Sequence, residues 1–475
     1  MEVRKTDPIR KEKPEMTMPQ ITKIEGAKFI VTVDEMRRII RDGTIVVQEG
    51  RIAQIGKLEE LSGVAADRVI DAREMVVTPG FVNGHMHISY AHAVRGVFPD
   101  DLGADYLPTV FRLQRAMTEE EEYFTSLLGI TELLKYGTTC FLDPGSTKYL
   151  DACMMAYEES GCRIIVGAQV SDGPNPLNVP VYSTGEAISL MERTIRDYGG
   201  SLNGRVRAWT MPFAADYCSR ELLEAAKGLA DRYETGMTMH QSNGVSSVKA
   251  HLEEFGVRPV QYLEDIGVLG PNVLLAHLIG VDTAEIEAMA RTQTKGVTCP
   301  TAALKSGGGL SVHGMLPEML AKGVCVCLGT DAGNNSNLIE TMRSMYLAAI
   351  VYKDSREDTS MVPAETALEM ATINGARAFG MEDEIGSIEV GKKADLVLFD
   401  TRRPEWRGLH NPVNNLVYNA DGRSVHTVMV DGRIVVEDHK PTFIDEWELI
   451  QKVQSLGEGL LERVGVSYPS RWPIV

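Results

Sequence analysis

The stretch Val76–His87, VVTPGFVNGHMH, marks where one texture of sequence gives way to another. Upstream of it, from Ile21 to about Thr78, short apolar runs are divided by turn signals. FIVTVD (29–34), TIVVQEGRIAQIG (44–56) and RVIDAREMVVTPG (68–80) alternate with Asp42-Gly43 and Glu49-Gly50, the pattern of β-strands and hairpins. Downstream, strand candidates end GFVNGHMH, TTCFLD, RIIVGAQV, RVRAWTM, GMTMH, NVLLAH, GVTCP and VCVCLGTD. Amphipathic segments such as EEEEYFTSLLGITELLKYG (119–137) and RELLEAAKGLADRYETG (220–236) separate them. Eight strand-plus-crossover units predict an α/β fold, a (β/α)8 TIM-like barrel over 80–382.

The hairpin texture returns in ADLVLFD (394–400) and HTVMVDGRIVVEDHKP (426–441). VVQEGRIAQIG and VMVDGRIVVED share a plan of apolar run, acidic-Gly turn and second apolar run. The two chain ends are therefore expected to build one small composite β-sandwich from 19–79 and 383–445. Residues 1–18, charged and proline-containing, predict a flexible tail, and 446–475 a C-terminal helix and tail.

The chain has 475 residues, enough for about three domains of roughly 150, although a single barrel absorbs most of that length. With 48 Lys+Arg against 66 Asp+Glu the formal charge is −18, which repels nucleic acid and anionic membranes. No apolar stretch suits a membrane span or a secretory leader, so a cytoplasmic location is expected. Seven cysteines, an odd number without a C-x-x-C pair, read as reduced and buried thiols.

His85 and His87 are two apart, so on a strand both imidazoles face one side and can share an ion. His240 closes GMTMH, His277 closes NVLLAH, and Asp331 follows VCVCLGT. Each alone is more often structural, and an Asp after Gly-Thr is often a helix N-cap. Together they place four imidazoles and a carboxylate at the ends of four strands, on the face where barrel enzymes carry their sites.

VVTPGFVNGHMH, TMHQSN, LLAHLIGV, CLGTDAGNNSN and the run ATINGARAFGMEDEIGSIEVGKKADLVLFD give the sequence a resemblance to the amidohydrolase superfamily. It is similar to the mononuclear-metal group that holds atrazine chlorohydrolase, triazine hydrolases and aminopurine or cytosine deaminases. That resemblance implies His85, His87, His240 and Asp331 around one divalent metal ion, with His277 beside the bound water or substrate. Zinc is the first expectation, with cobalt, iron and manganese open. No lysine follows RVRAWTM, where binuclear relatives carry a bridging one.

One position departs from the pattern. Ring-deaminating and dehalogenating members carry a glutamate three residues after the third histidine, and here that place holds Asn243. A carboxylic acid can protonate a ring nitrogen; an amide can only donate a hydrogen bond. The departure favours a substrate with its own C=O or C=S, and the sequence looks most like the phenylurea and molinate (thiocarbamate) hydrolase branch. The expected reaction is hydrolysis of an N-aryl urea, carbamate, thiocarbamate or anilide, with Asp331 relaying the proton and His277 stabilising the charge. The alternative is a deaminase or dehalogenase of an s-triazine, purine or pterin. Tyr106, Leu107 and Phe111, on a lid after the first strand, and Trp209, Met211 and Phe213, at the fourth strand end, are the expected pocket residues, with Asn243 orienting the substrate. The acidic run Glu119–Glu122 reads as solvated surface at a helix start. The expected partner is a small, mostly apolar molecule, and the subunits are expected to form a homo-oligomer built on dimers, up to a hexamer.

Overall fold

Residues 21–475 are described in the computed structural model, so the tail expected at 1–18 lies outside the described residues. The first strands are β1 Ile21–Val31, β2 Ile39–Gln48, β3 Arg51–Lys57, β4 Arg68–Asp71 and β5 Met75–Pro79. The alternating segment supplies β6 Phe81–Asn83, β7 Thr138–Leu142, β8 Arg163–Val166, β9 Gln169–Val170, β10 Val206–Ala208, β11 Met211–Pro212, β12 Met237–Gln241, β13 Val273–His277, β14 Lys295–Thr298 and β15 Val326–Leu328. The last are β16 Leu396–Asp400, β17 Val425–Val430, β18 Arg433–Glu437 and β19 Lys440–Pro441.

Strands from the two chain ends meet, as their shared texture predicts, but in one continuous sheet of order β19-β18-β17-β16-β5-β1-β2-β3, with β4 beside β1. The join is antiparallel, from Leu396 opposite Pro79 to Asp400 opposite Met75. Alternation along the strands divides the side chains between two cores. Ile24, Ile30, Ile45, Val77, Leu396 and Leu398 fill one face. Phe29, Val31, Val76, Val397 and Phe399 turn the other way, into the main core of the molecule.

The middle strands are parallel, in sheets β6-β7-β8-β10, β9-β11 and β12-β13-β14-β15. Gly167-Ala168 interrupts the third strand candidate and Trp209-Thr210 the fourth, so each counts as two short strands. Bridges Thr210–Met237 and Ala214–His240 tie the fourth position to β12. At the other seam Gly84 N–H donates to Leu328 O at 2.7 Å, bringing β15 back beside β6. Every residue of β7 and β8 is buried, as expected for parallel strands covered on both faces.

The helix Glu119–Lys135 starts at a capping box: Thr118 accepts from Glu121 N, and the Glu121 carboxylate accepts from Thr118 N at 2.7 Å. Only the first half of the acidic run is the solvated face expected, Glu119 and Glu120 being exposed. Glu121 and Glu122 are buried; Glu121 also meets Arg463 at 2.7 Å, and Glu122 accepts from Lys148 N and Tyr149 N at 3.1 and 2.6 Å. The C-terminal helix Glu446–Val464 lies across the 3-10 turn Tyr90–Val94, so close that a Cβ on Gly457 would stand 2.1 Å from Ala93 O. All seven cysteines are free, and only Cys325 is less than fully buried. Among the described residues no helix is long and apolar enough to cross a membrane.

Candidate metal centre

His85 and His87 stand just past the end of β6, in extended backbone that still bonds its neighbours: Met86 N–H donates to Leu142 O at 2.9 Å. Asn83 fixes the entry. Its side-chain amide donates to Thr330 Oγ1 at 2.8 Å, and its Oδ1 accepts from His85 N at 3.2 Å. His85 O in turn accepts from Thr330 N and Asp331 N at 3.1 and 2.9 Å. The first and last strand ends are thereby locked in register, which sets Asp331 beside the histidine pair.

His240 and His277 arrive on β12 and β13, which pair Gln241 opposite His277. The ring centroids of His85 lie 5.1 Å from His87, 4.9 Å from His240 and 5.1 Å from His277. The His87 and His240 rings stack at 5.4 Å with their Nε2 atoms 3.4 Å apart. Asp331 Oδ1 is 3.5 Å from His87 Nε2 and 3.8 Å from His85 Nε2. All five residues expected at the centre are brought together.

Local backbone is held under tension there. Ser242, His277, Leu278 and Asp331 have φ of 51°, 82°, 54° and 62°. Non-glycine residues in the left-handed region cost on the order of 1 kcal/mol each, and four of them fall at this site. Asp331 is held by Ala332 N–H on Oδ1 at 2.7 Å and by the Asn335 amide on Oδ2 at 3.2 Å.

Electrostatics complete a ligand set. Burial, then mutual repulsion, lowers the His85 imidazole well below its usual range and His240 to about 3, and burial lowers His277 as well. These rings are neutral at pH 7, the form that ligates metals. Burial pushes the Asp331 carboxyl up, but His277 and His87 pull it down further, and it stays ionised. Phe213 O can only accept, so His240 Nδ1, 3.0 Å away, carries the hydrogen and Nε2 keeps its lone pair. Both ring nitrogens of His85 and Nδ1 of His87 are buried without a hydrogen-bond partner among the described residues. Orphaned ring nitrogens and two Nε2 atoms facing each other are what a cation would satisfy. His85, His87 and His240 form one group of atoms close enough to ligate, and His85, His277 and Asp331 another.

The expected pocket residues divide. Phe213 lies 5.0 Å from His240, stacked on Tyr217 and edge-on to Phe111 at 6.0 Å, a wall of aromatic rings beside the histidines. Phe111 also lines a cleft of about 930 Å³ with Gly167 and Gln169. Tyr106 packs edge-on to Phe98 at 5.2 Å, and Leu107 on the same helix is 39% exposed. Met211 is buried against Gly167. Trp209 is not at the centre: its ring packs on Phe379 at 5.7 Å and covers Gly236, just before β12 begins, whereas His240 stands near the end of that strand. Asn243 is exposed past β12, with no hydrogen bond among the described residues. Tyr90, which opens the segment expected as a lid, lies 6.0 Å from the His87 ring; the clamp residue Asn83 carries no signal in the sequence beyond standing two residues before the histidine pair.

The family model described as "Amidohydrolase family" matches residues 76–435. A 5'-deoxyadenosine deaminase of Methanobrevibacter smithii is 33% identical over 88% of this chain and 94% of its own length. A 5-methylthioadenosine/S-adenosylhomocysteine deaminase of Syntrophobacter fumaroxidans is 31% identical over 90% of this chain and 95% of its own. The crystal structure of atrazine chlorohydrolase from Arthrobacter aurescens TC1, complexed with zinc, superposes with a TM-score of 0.84 at 23% identity, covering 92% of this chain and 100% of that one.

Proposed function

Because the chain belongs to the amidohydrolase family and is a metal-dependent hydrolase of carbon–nitrogen bonds other than peptide bonds, we propose that it removes the exocyclic amine from a nitrogen heterocycle, an adenosine-type purine first. The observation that carries this is the likeness to nucleoside deaminases along almost the whole chain. It reverses the order of the two chemistries read from sequence, since the two sequence relatives named above are deaminases and the structural one is a chlorohydrolase acting on a nitrogen heterocycle.

His85, His87, His240 and Asp331 would hold the divalent ion, zinc being our choice for an imidazole-rich set. When bound, the ion supplies a Lewis acid and makes water acidic enough to attack near neutral pH. Asp331, ionised and held by Ala332 and Asn335, takes the proton of the attacking water and passes it to the departing amine. His277 stands 5.1 Å from His85, ring to ring, where it can hydrogen-bond the atom that gains charge. The stacked rings of Phe213 and Tyr217, with Phe111 edge-on to them, offer an apolar wall to a planar ring. Leu107 and Tyr106 cover the site from the lid side, and Asn243 hydrogen-bonds the substrate at the mouth.

A second reading rests on Asn243 itself. With an amide where a ring-protonating acid would be needed, cleavage of ureas, carbamates, thiocarbamates or anilides is the easier chemistry. Product analysis with metal-loaded protein separates the two. Ammonia released from amino-substituted purines, pterins or triazines supports the first reading, and Asn243→Glu should then raise that rate. An organic amine released only from N-aryl ureas, anilides or thiocarbamates would replace it with the second.

A further inference from the structure

Ring deamination and amide cleavage both put negative charge on a substrate heteroatom as water adds, and Asn243 leaves that atom without a carboxylic-acid partner. Tyr90 is placed to serve it. Its ring begins a run of contacts, Tyr90 to His87 at 6.0 Å, His87 to His240 at 5.4 Å, and His240 to Phe213 at 5.0 Å, that joins the lid side of the centre to the aromatic wall. Tyr90 is 4% exposed and packs in a cluster with Val94, Val110, Leu113 and Ala332, the residue after Asp331. Its hydroxyl makes no hydrogen bond among the described residues, and it is not among the sealed polar atoms there, so the oxygen keeps access to open space.

We propose that the Tyr90 hydroxyl donates a hydrogen bond to the substrate atom that gains negative charge. The inference rests on the hydrolytic reading above but holds for either substrate class, because a ring nitrogen and a carbonyl oxygen both accept. The turn Tyr90–Val94 is pinned from behind by the Gly457 contact with Ala93 O, which fixes the donor before substrate arrives. His92, two residues on, is buried with both ring nitrogens unpartnered, but it is wedged between Gly129 and Gly333 and is shut off behind the Asp331 loop.

The test uses metal-loaded wild type, Tyr90→Phe and Tyr90→Leu, with kcat, KM, metal per chain and thermal midpoint measured for each. A donor to the developing charge predicts that both variants lose kcat by about 100-fold, with KM within about threefold, and that Tyr90→Phe keeps its metal and its midpoint. A purely packing role predicts that Tyr90→Phe resembles wild type while Tyr90→Leu fails, and that result overturns the proposal. Loss of metal from Tyr90→Phe overturns it as well, because the residue would then hold the ligands and not the substrate. If wild type hydrolyses neither substrate panel, the functional reading falls before any variant is made.

Discussion

Asp331 carries more constraints than any other side chain here: a left-handed backbone, two hydrogen-bond donors, and two imidazoles within 4 Å. Asp331→Asn keeps the shape and removes the basic oxygen. It should lower kcat by about 10²–10⁴-fold without changing the circular dichroism spectrum, and near-normal turnover would remove the residue from the proton path. The imidazoles make a prediction about acid. An unfolded histidine titrates near 6.5, whereas His240 in the fold titrates at about 3. Below pH about 6.5 the unfolded chain therefore binds protons that the folded chain refuses, and stability falls with pH by up to ~1.4 kcal/mol per unit for each such group. The melting midpoint of chelator-treated protein should fall steadily between pH 6.5 and 3; a flat profile would contradict the buried, neutral site. These five residues were legible because each ends an apolar strand, a place where a polar side chain needs a reason. Tyr90 was legible only as the start of the lid, because an aromatic residue just after a strand reads as ordinary packing until its contacts are known.

At the scale of elements, the sequence marks strands better than their interruptions. GMTMH and NVLLAH are β12 and β13 nearly as written, but RIIVGAQV and RVRAWTM each break once. Trp209 stands in the break of RVRAWTM, and a side chain expected in the pocket is found packed on Phe379. The acidic run reads as surface, which holds for Glu119 and Glu120 but not for the next two: a capping box can be seen in Thr118 and Glu121, but a buried partner for Glu122 comes from residues 148 and 149, on another element. Helix-to-turn packing gives a sharper test. Gly457→Ala puts a methyl into Ala93 O, so the C-terminal helix must shift or the turn must move. We expect a loss of about 1–3 kcal/mol in chemical denaturation and a larger fractional loss in kcat than in metal content. Unchanged stability and activity would show that the helix can slide freely over the turn.

In the whole molecule the sheet and the parallel strands are joined by a buried charge. Arg163, at the start of β8 and 2% exposed, reaches Asp395 at 3.1 and 3.0 Å and Asp431 at 2.6 Å. Burial opposes its charge, and the two carboxylates more than restore it. Arg163→Met leaves buried Asp395 without its counter-charge and Asp431 with only Lys393, 3.4 Å away, which should cost about 3–5 kcal/mol in urea unfolding; a loss under about 1 kcal/mol would mean that water and Lys393 already screen the pair. The pairing of the chain ends was legible as a repeated texture. That it forms one sheet was not, because edge order depends on contacts between segments far apart in the chain. The β5–β16 join also has a consequence for synthesis. Val77 emerges from the ribosome long before Leu398, its partner across that join. At roughly 5–20 residues per second the nascent chain carries β5 with an open edge for tens of seconds, a template on which another chain could pair. The strands made last close the sheet that was begun first, so truncated or stalled chains should aggregate and never reach a partly active state.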